Sequence, residues 1–276
     1  MTGAGSELTS LSDNRQKTGG GEMQGLLNGY RAVVVGGGRG IGHTVAQRLS
    51  EHGAKGLMCD LPDVIDHASQ LSAFEKAEID VSSEESIAAA FDRAKREFGT
   101  LDIVVANAGI VPPWRRTEDV DLDEWDRVFS INVRGVVATL KYAVPLMKMR
   151  GGTIVVTASI NGITGAPLQS AYTSSKHAVL GLVRCAALEL GQHDIRVNAV
   201  GPGPVLTDAL RERIRFRSTE GGPTEEEAEK LLAGQTPLGR IATEDDVADG
   251  VLFLASKLSA AITGHLLPID AGYGIN

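Results

Sequence analysis

Short runs of β-branched and other apolar residues alternate with longer stretches of helical pattern along most of the chain. The short runs predict strands at 32–35, 56–60, 102–106, 153–157, 195–200 and 265–269. The stretches between them predict helices, among them 41–52, 83–98, 123–149 and 171–191. Strands and helices in alternation are typical of a parallel sheet that is covered by helices on both faces. The pattern therefore predicts a doubly wound α/β fold.

The alternation continues to the end of the chain without an internal repeat or a linker, which predicts one domain over residues 30–276. Residues 1–29 are rich in Gly, Ser and Thr and have no period, so they are predicted to form a mobile N-terminal arm. The connection after the strand at 195–200 is unusually long. Its residues 207–238 are expected to contain helical pieces of their own.

Composition and charge exclude several classes of protein. The net charge of −8 argues against nucleic acid or an anionic membrane as a partner. No apolar run approaches the length of a membrane span, and residues 1–29 lack the apolar core of a secretory signal. The two cysteines, Cys59 and Cys185, have no metal-ligand spacing, so neither a metal site nor a disulfide framework is expected. These features favour a cytoplasmic protein without a metal.

A glycine-rich turn joins the first predicted strand to the first predicted helix. Five of the seven residues from Gly36 to Gly42 are glycine. Bare backbone at this place lets N–H groups and the positive end of a helix approach a pyrophosphate, although the glycines could also serve a tight turn alone. Asp60 ends the second predicted strand, where a carboxylate can bind ribose hydroxyls or merely cap a turn. Together the two features favour a dinucleotide site on a Rossmann-type sheet.

From residue 30 onward the chain resembles the short-chain dehydrogenase/reductase family. The family's turn, TGxxxGxG, is matched except that Val35 replaces its threonine, and "EIDVSS", "ANAG" and "GPGPVLTD" match further family elements. Ala106 replaces the first Asn of the family's NNAG, and "IDAG" departs slightly from its DGG. The resemblance implies that a nicotinamide dinucleotide is bound by Gly36, Arg39, Gly40, Ile41, Gly42, Asp60, Leu61, Asp80, Val81, Asn107, Gly109, Tyr172, Lys176, Pro202, Val205 and Thr207.

The segment "AYTSSK" carries the candidate chemistry. Tyr172 and Lys176 are four residues apart on a predicted helix and so share one face. A tyrosine has a pKa near about 10, and a nearby ammonium favours the phenolate, which can act as a general base toward an alcohol. Ser159, at the end of a predicted strand, and Asn132, on a predicted helix, match the family's catalytic serine and asparagine. Taken individually, Ser159 could be an ordinary hydroxyl at the end of a strand, and Asn132 could be an ordinary buried amide.

The resemblance implies a role for each of these four residues. Ser159 hydrogen-bonds the substrate oxygen, and Tyr172 exchanges its proton. Lys176 lowers the tyrosine pKa and holds the ribose, while Asn132 anchors a water that continues a proton relay. The implied reaction is hydride transfer between a nicotinamide dinucleotide and a secondary alcohol or its ketone.

Two other functions were weighed against this one. A non-catalytic dinucleotide-binding redox sensor on the same fold remains an alternative, but such a protein could dispense with Tyr172 or Lys176, and this chain keeps both. A serine hydrolase is disfavoured because no G-x-S-x-G segment surrounds Ser159.

The choice between the two nicotinamide dinucleotides depends on Asp60 and Arg39. A carboxylate at Asp60 would face the 2′-phosphate of NADP with like charge, whereas it can bond both free hydroxyls of NAD. Arg39 stands where some relatives grip that phosphate, or it is a solvated turn residue. The sequence predicts NAD(H).

The substrate itself is not identified by the sequence. By resemblance it contacts Ser159, Tyr172, Asn161 and Trp114, and residues 207–238 cover it. That segment contains four arginines in "RERIRFR". We interpret them as a solvated helix face, and the alternative is that they bind an anionic substrate.

The helix pattern also bears on assembly. Residues 178–190 are apolar nearly all round, which leaves one side of that helix without a partner in a single chain. A symmetric copy would cover it, and a homotetramer is expected; alternatively, 207–235 or the N-terminal arm covers it within one chain.

Overall fold

A sheet of seven parallel strands forms the centre of the protein. The computed structural model describes residues 25–219 and 221–275. Its strands are β1 (Arg31–Val35), β2 (Lys55–Asp60), β3 (Phe74–Glu78), β4 (Ile103–Ala106), β5 (Gly152–Thr157), β6 (Ile195–Pro202) and β7 (Leu266–Ile269). They lie in the order β3-β2-β1-β4-β5-β6-β7, and every neighbouring pair is parallel. The predicted doubly wound α/β class is confirmed.

Helices cover both faces of this sheet. They are α1 (Gly40–Glu51), α2 (Pro62–His67), α3 (Glu84–Phe98), α4 (Leu122–Phe129), α5 (Gly135–Met147), α6 (Ser170–Leu190), α7 (Asp208–Thr219), α8 (Glu225–Ala233) and α9 (Glu244–Ala255). One apolar core lies between the sheet and α3, α5 and α6. A second core lies on the opposite face, against α1 and α9. The long connection after β6 contains α7 and α8, as its pattern predicted.

Strand β3 was not among the predicted strands. Its sequence, "FEKAE", buries only Phe74 and Ala77, because it is an edge strand that β2 contacts on one side only. A short edge strand with so few apolar residues has no apolar run for a pattern to detect. Its position matters because Ile79, just after it, donates its N–H to the carbonyl of Asp60 at 2.8 Å. This bond places the residues after β3 beside the end of β2.

The helix predicted over 123–149 is interrupted. Between α4 and α5 the backbone forms one π-helical turn at Ser130–Arg134. Such turns widen the helix by a residue and are frequent at functional sites. Here the turn carries Asn132, whose side chain is buried with 1% of its surface exposed.

The proposed N-terminal arm falls mostly on residues 1–24, which lie outside the described residues. Of its last five residues, Leu27 is fully buried in the core beside α1. Its N–H donates to the carbonyl of His52 at 2.9 Å. The packed part of the chain therefore includes residues that the sequence pattern assigned to the arm.

The order of the strands reverses direction between β1 and β4. From β1 the chain moves outward to β2 and β3, and from β4 it moves the other way to β5, β6 and β7. Ligands of such sheets bind beyond the carboxyl ends of the strands at this switch point. Gly36, Asp60, Asn107, Ser159 and Pro202 end or closely follow β1, β2, β4, β5 and β6. The fold thus brings residues from distant parts of the sequence to one edge.

Candidate active site

The glycine-rich turn packs tightly between β1, β4 and α1. Gly36 has a φ of +79°, and its N–H donates to the carbonyl of Cys59 at 2.8 Å. A Cβ on Gly36 would lie 2.5 Å from the nitrogen of Ala108, and a Cβ on Gly42 would lie 1.9 Å from the carbonyl oxygen of Gly36. Asn107 fixes the same carbonyl through its Nδ2 at 2.7 Å. Side chains are therefore excluded at Gly36 and Gly42 by the backbone around them.

The N-terminus of α1 follows directly and faces this turn. Arg39 precedes the helix in extended conformation, and its exposed side chain makes no capping hydrogen bond. The first turn, which includes Gly40 and Ile41, contains no acidic residue. Its N–H groups and the positive end of the helix dipole can thus receive a pyrophosphate. Together with the excluded side chains, they form a cradle that fits a dinucleotide.

Asp60 is held rigidly at the end of β2. Its Oδ2 accepts the N–H of Gly38 at 2.8 Å, and its Oδ1 accepts the N–H of Leu61 at 2.9 Å. Each carboxylate oxygen keeps a further acceptor position. The carboxylate is therefore oriented to accept hydroxyl groups of a ribose that lies over the turn.

Asp80 and Val81 lie on the adjoining side, where the chain leaves β3. The Oδ1 of Asp80 accepts hydrogen bonds from the N–H and the hydroxyl of Ser82, at 2.8 and 2.7 Å. Val81 packs on the core and lies 3.1 Å from the position of a Cβ on Gly135. The two residues border the region where the sequence predicts the adenine.

Ser159, Tyr172 and Lys176 come together beyond the carboxyl end of β5. The Ser159 hydroxyl lies close enough to that of Tyr172 to act on the tyrosine pKa. Ser159 Oγ accepts the N–H of Asn161 at 3.2 Å and donates to the carbonyl of Pro202 at 3.5 Å. Lys176, one helical turn after Tyr172, lies with its Nζ 5.6 Å from the tyrosine ring centre. Its Nζ donates to the carbonyl of Thr157 at 2.8 Å. The structure thus joins the three residues that the sequence predicted to act together.

Burial and neighbouring groups shift the pKa values of Tyr172 and Lys176. Burial raises the pKa of Tyr172, while the hydrogen bond with Ser159 and the charge of Arg213 act in the opposite direction. Burial also lowers the pKa of Lys176 to about 8. Lys176 is predicted to lower the tyrosine pKa. Its ammonium donates to the carbonyl of Thr157 and lies 5.6 Å from the tyrosine ring centre, and its effect on that pKa stays a prediction.

Asn132 links the catalytic helix to the loop after β4. Its Oδ1 accepts the N–H of Ile110 at 2.8 Å, and its Nδ2 donates to the carbonyl of Ile110 at 2.9 Å and to Ser175 Oγ at 3.1 Å. A Cβ on Gly109 would lie 3.2 Å from Asn132 Oδ1 and 3.7 Å from Lys176 Nζ. Asn132 and Lys176 therefore face the same small space, and the water predicted between them stays a prediction.

Ser175 is a site residue that sequence reasoning missed. Its Oγ accepts from Asn132 and donates to the carbonyl of Tyr172 at 2.7 Å. The only signal was a hydroxyl directly before Lys176, and a serine on a helix has no preferred role in the absence of tertiary contacts. Ser175 fixes the π-helical turn against the start of α6.

Pro202, Val205 and Thr207 lead from β6 into α7. Val205 is buried and pairs with Ala242 in an isolated bridge. Thr207 Oγ1 accepts the N–H of Leu210 at 3.3 Å, which caps the start of α7. The Thr207 methyl lies 4.0 Å from the position of a Cβ on Gly40. This segment therefore borders the turn from the side of α7, where the sequence predicts the nicotinamide.

The two residues predicted to contact only the substrate differ in their surroundings. Trp114 has 41% of its surface exposed, and the Arg217 guanidinium of α7 lies 4.2 Å from its ring centre. Asn161 donates through Nδ2 to Gln169 Oε1 at 3.3 Å, so its side chain is engaged within its own loop.

Neither cysteine contributes its thiol to this site. Cys59 is buried, and burial raises the pKa of its thiol to about 12, whereas Cys185 is exposed and free. Across residues 25–219 and 221–275, no group of three or more His, Cys, Asp or Glu side chains is placed to hold a metal ion. In the same part of the chain, no helix combines the length and apolarity needed to cross a bilayer.

The fold and the site define an oxidoreductase that uses a nicotinamide dinucleotide. The family model described as "Enoyl-(Acyl carrier protein) reductase" matches residues 35–274. Secoisolariciresinol dehydrogenase of Forsythia intermedia is 39% identical over 257 residues, covering 90% of each chain. Cis-4-hydroxycyclohexanecarboxylate dehydrogenase of Sinomonas cyclohexanicum is 37% identical over 248 residues, covering 88% of this chain and 95% of the relative. The chain belongs to the short-chain dehydrogenase/reductase family.

A solved structure points to the same cofactor. Carveol dehydrogenase from Mycobacterium avium in complex with NAD superposes with a TM-score of 0.86 at 32% identity, covering 92% of this chain and all of the other. The protein is an NAD-dependent oxidoreductase that transfers a hydride between NAD(H) and a secondary alcohol or its ketone. The alternative of a non-catalytic sensor finds no support among these relatives, which are named as dehydrogenases.

Proposed function

We propose that Tyr172 is the general acid/base of this reaction and that Ser159, Lys176 and Asn132 assist it. The proximity of the Ser159 and Tyr172 hydroxyls carries the proposal, because it brings two hydroxyls together beyond the carboxyl end of β5. A substrate oxygen bound there contacts both of them. NAD, when bound, accepts or supplies the hydride.

Each of the four residues has a separate role in the proton transfer. In alcohol oxidation Ser159 orients the substrate hydroxyl, and the Tyr172 phenolate takes its proton. Because burial raises the tyrosine pKa, the hydroxyl keeps its proton near neutral pH, and ketone reduction starts from that form. Lys176 holds the ribose and, with Asn132, passes the proton on toward solvent. Asn132 is itself fixed by Ile110 and Ser175, so it can keep this position through the reaction.

We further propose that Gly36, Arg39, Gly40, Ile41 and Gly42 bind the pyrophosphate half of the cofactor. The other contacts of the cofactor are those that the family resemblance implies, and its adenosine and nicotinamide lie at opposite ends of the site. These contacts involve Asp60, Leu61, Asp80, Val81, Asn107, Gly109, Pro202, Val205 and Thr207.

Asp60 is expected to set the preference for NAD over NADP. We predict that the wild type prefers NAD by at least about tenfold in kcat/KM, since a discrimination of ~1.4 kcal/mol gives that factor. In Asp60→Asn the repulsion of a 2′-phosphate is removed, and the preference should fall at least about tenfold. Steady-state rates with a panel of secondary alcohols and both cofactors test the function and the preference together.

The control for this experiment is Asp63→Asn, which removes a nearby exposed carboxylate in the first turn of α2. This variant should keep the wild-type preference. Equal efficiency of the wild type with NADP would contradict the role of Asp60, and lack of turnover with every alcohol would contradict the proposed reaction.

We propose that the chain forms a homotetramer and that α5 and α6 build one of its interfaces. Leu188 on α6 is 87% exposed and Val137 on α5 is 45% exposed. No described atom lies within 4 Å of the position of a Cβ on Gly181, so a second helix could approach α6 closely there. A symmetric copy would bury this apolar surface on both sides.

The buried, free Cys59 supports a reducing, cytoplasmic location.

Sedimentation at micromolar concentration tests the assembly. We expect a single species of four times the 29.1 kDa chain mass. Leu188→Glu should place a charge in the α5–α6 interface and shift the population to smaller species. A wild-type species of one chain mass would refute the tetramer.

A further inference from the structure

Helix α7 carries four arginines at alternate positions, and they divide between two sides of the helix. Arg211 and Arg215 both form ion pairs with Glu225 of α8. Consecutive residues of an α-helix are about 100° apart, so positions 213 and 217 point away from that pair. The sequence predicts a solvated helix face balanced by the acidic segment "TEEEAEK", and Arg211 and Arg215 are balanced in this way, whereas Arg213 and Arg217 are not.

The second side of α7 faces the catalytic residues. The Arg217 guanidinium lies over the ring of Trp114, 4.2 Å from its centre, and Trp114 belongs to the loop after β4. One turn earlier on the same side, Arg213 lies close enough to Tyr172 for its charge to act on the tyrosine pKa, against the larger effect of burial. This side of the helix thus borders Trp114 and Tyr172, two residues that the sequence predicts to contact the substrate.

Arg213 is partly buried there without an acidic partner. Its Nε donates to the carbonyl of Ala209 at 3.2 Å, one turn earlier on α7. Among residues 25–219 and 221–275, no carboxylate pairs with it, whereas Glu225 serves both Arg211 and Arg215. Burial lowers the pKa of its guanidinium, and the neighbouring Tyr172 acts in the opposite direction. A partly buried cation without a counter-charge is unfavourable, and a bound anion would remove that penalty.

We propose that Arg213 binds a carboxylate of the substrate, so that the enzyme acts on secondary alcohols that carry a carboxylate a few bonds from the carbinol carbon. The inference rests on the proposed function, because the Tyr172 hydroxyl fixes where the carbinol oxygen lies. Among the described residues, the side chain of Arg213 bonds only the carbonyl of Ala209, through Nε. A guanidinium binds a carboxylate through two parallel hydrogen bonds, and the Nη groups of Arg213 have no partner among these residues.

The charge available at this place favours a carboxylate over a phosphate. Arg217 is stacked on Trp114, and Arg211 and Arg215 share the carboxylate of Glu225, so these three guanidinium groups are already engaged. Arg213 thus offers one positive charge, which matches a monoanion. A phosphate monoester would bring nearly two negative charges to a single guanidinium.

The experiment compares 3-hydroxycyclohexanecarboxylate with its neutral carboxamide, using NAD and the full-length protein. We expect the wild type to oxidise the carboxylate with at least about tenfold higher kcat/KM, the factor that ~1.4 kcal/mol gives. Arg213→Gln should lower this rate at least about tenfold and change the carboxamide rate by less than about threefold. Arg215→Gln is the matched control, since it removes an arginine of the same helix that faces Glu225, and it should keep the wild-type preference.

Each outcome decides the proposal. Loss of equal size on both substrates in Arg213→Gln would overturn it, because the arginine would then act on Tyr172 or on folding. A wild type without preference for the carboxylate would also overturn it. If neither alcohol is oxidised, the proposed reaction fails, and calorimetric titration of the NAD-loaded protein with cyclohexanecarboxylate and cyclohexanecarboxamide decides the inference by itself. Binding of the carboxylate at least about tenfold tighter in wild type than in Arg213→Gln supports the site; equal binding refutes it.

Discussion

Tyr172→Phe should lower kcat for alcohol oxidation by at least about a thousandfold, within the range that general acid–base catalysis supplies. The substitution removes only the hydroxyl that lies beside Ser159, and the ring remains in its place on α6. The Lys176 ammonium keeps its bond to Thr157 and can still hold a ribose. The affinity for NAD should therefore change by less than about threefold, or ~0.65 kcal/mol. Steady-state kinetics and calorimetric titration with NAD measure the two quantities separately.

Tyr142→Phe is the matched control for this variant. The Tyr142 hydroxyl donates to Glu84 Oε1 at 3.1 Å, between α5 and α3 and away from the glycine turn. Its loss should leave kcat and NAD affinity unchanged. If Tyr172→Phe kept more than a few per cent of wild-type turnover, another group would have to exchange the proton.

Lys176→Met should reduce turnover at least about a hundredfold, the lower limit of proton-transfer catalysis, and raise stability at the same time. Lys176 is 5% exposed, and burial lowers its pKa from 10.5 to about 8. A shift of this size corresponds to about 3 kcal/mol of unfavourable burial of the charge at neutral pH. The unpaired Thr157 carbonyl in the variant costs about 1 kcal/mol. We therefore expect about 2 kcal/mol of net stabilisation at pH 7, together with weaker binding of NAD.

The stability gain should depend on pH in a defined direction. A lysine with a lowered pKa binds fewer protons in the folded than in the unfolded protein between about pH 8 and 10.5. The wild type gains stability from this group as the pH rises through that window, and the variant does not. The advantage of Lys176→Met should accordingly be largest below pH 8 and shrink toward pH 10.5. Denaturant unfolding at pH 7 and pH 10 measures it, and an equal difference at both values would contradict the burial of a charge.

The sequence pattern predicts those strands of the sheet that are fully buried. Strands β1, β4 and β5 are apolar runs covered on both faces, and such runs are unambiguous beside the helices that alternate with them. Strand β3 was missed because a half-exposed edge strand has no such run. The π-helical turn at Ser130–Arg134 was missed for a different reason, since its local sequence has an ordinary helical pattern and the turn depends on Asn132 bonding Ile110.

The site could be predicted where the backbone itself imposes a residue type. Gly36 and Gly42 are required by backbone atoms within 2.5 Å of any added Cβ, and this requirement is visible as glycine in the sequence. No comparable requirement marks Arg213 in the sequence. The sequence alone does not distinguish an arginine near Tyr172 from a neighbouring arginine that pairs with Glu225. Only the direction of each side chain on α7 separates them. The bond of the Lys176 ammonium to the carbonyl of Thr157 was not predicted for the same reason, since spacing on a helix does not show where a side chain is directed.

This chain moves a hydride directly between a secondary alcohol and NAD, and isotopic labelling can follow that hydride. The most direct test uses a secondary alcohol with deuterium on the carbinol carbon and measures the mass of the dinucleotide formed by the wild-type protein. We expect the reduced dinucleotide to carry one deuterium from the alcohol and the oxidation of the labelled alcohol to be slowed. Reduced dinucleotide without deuterium, or no reduction by any secondary alcohol, would contradict it.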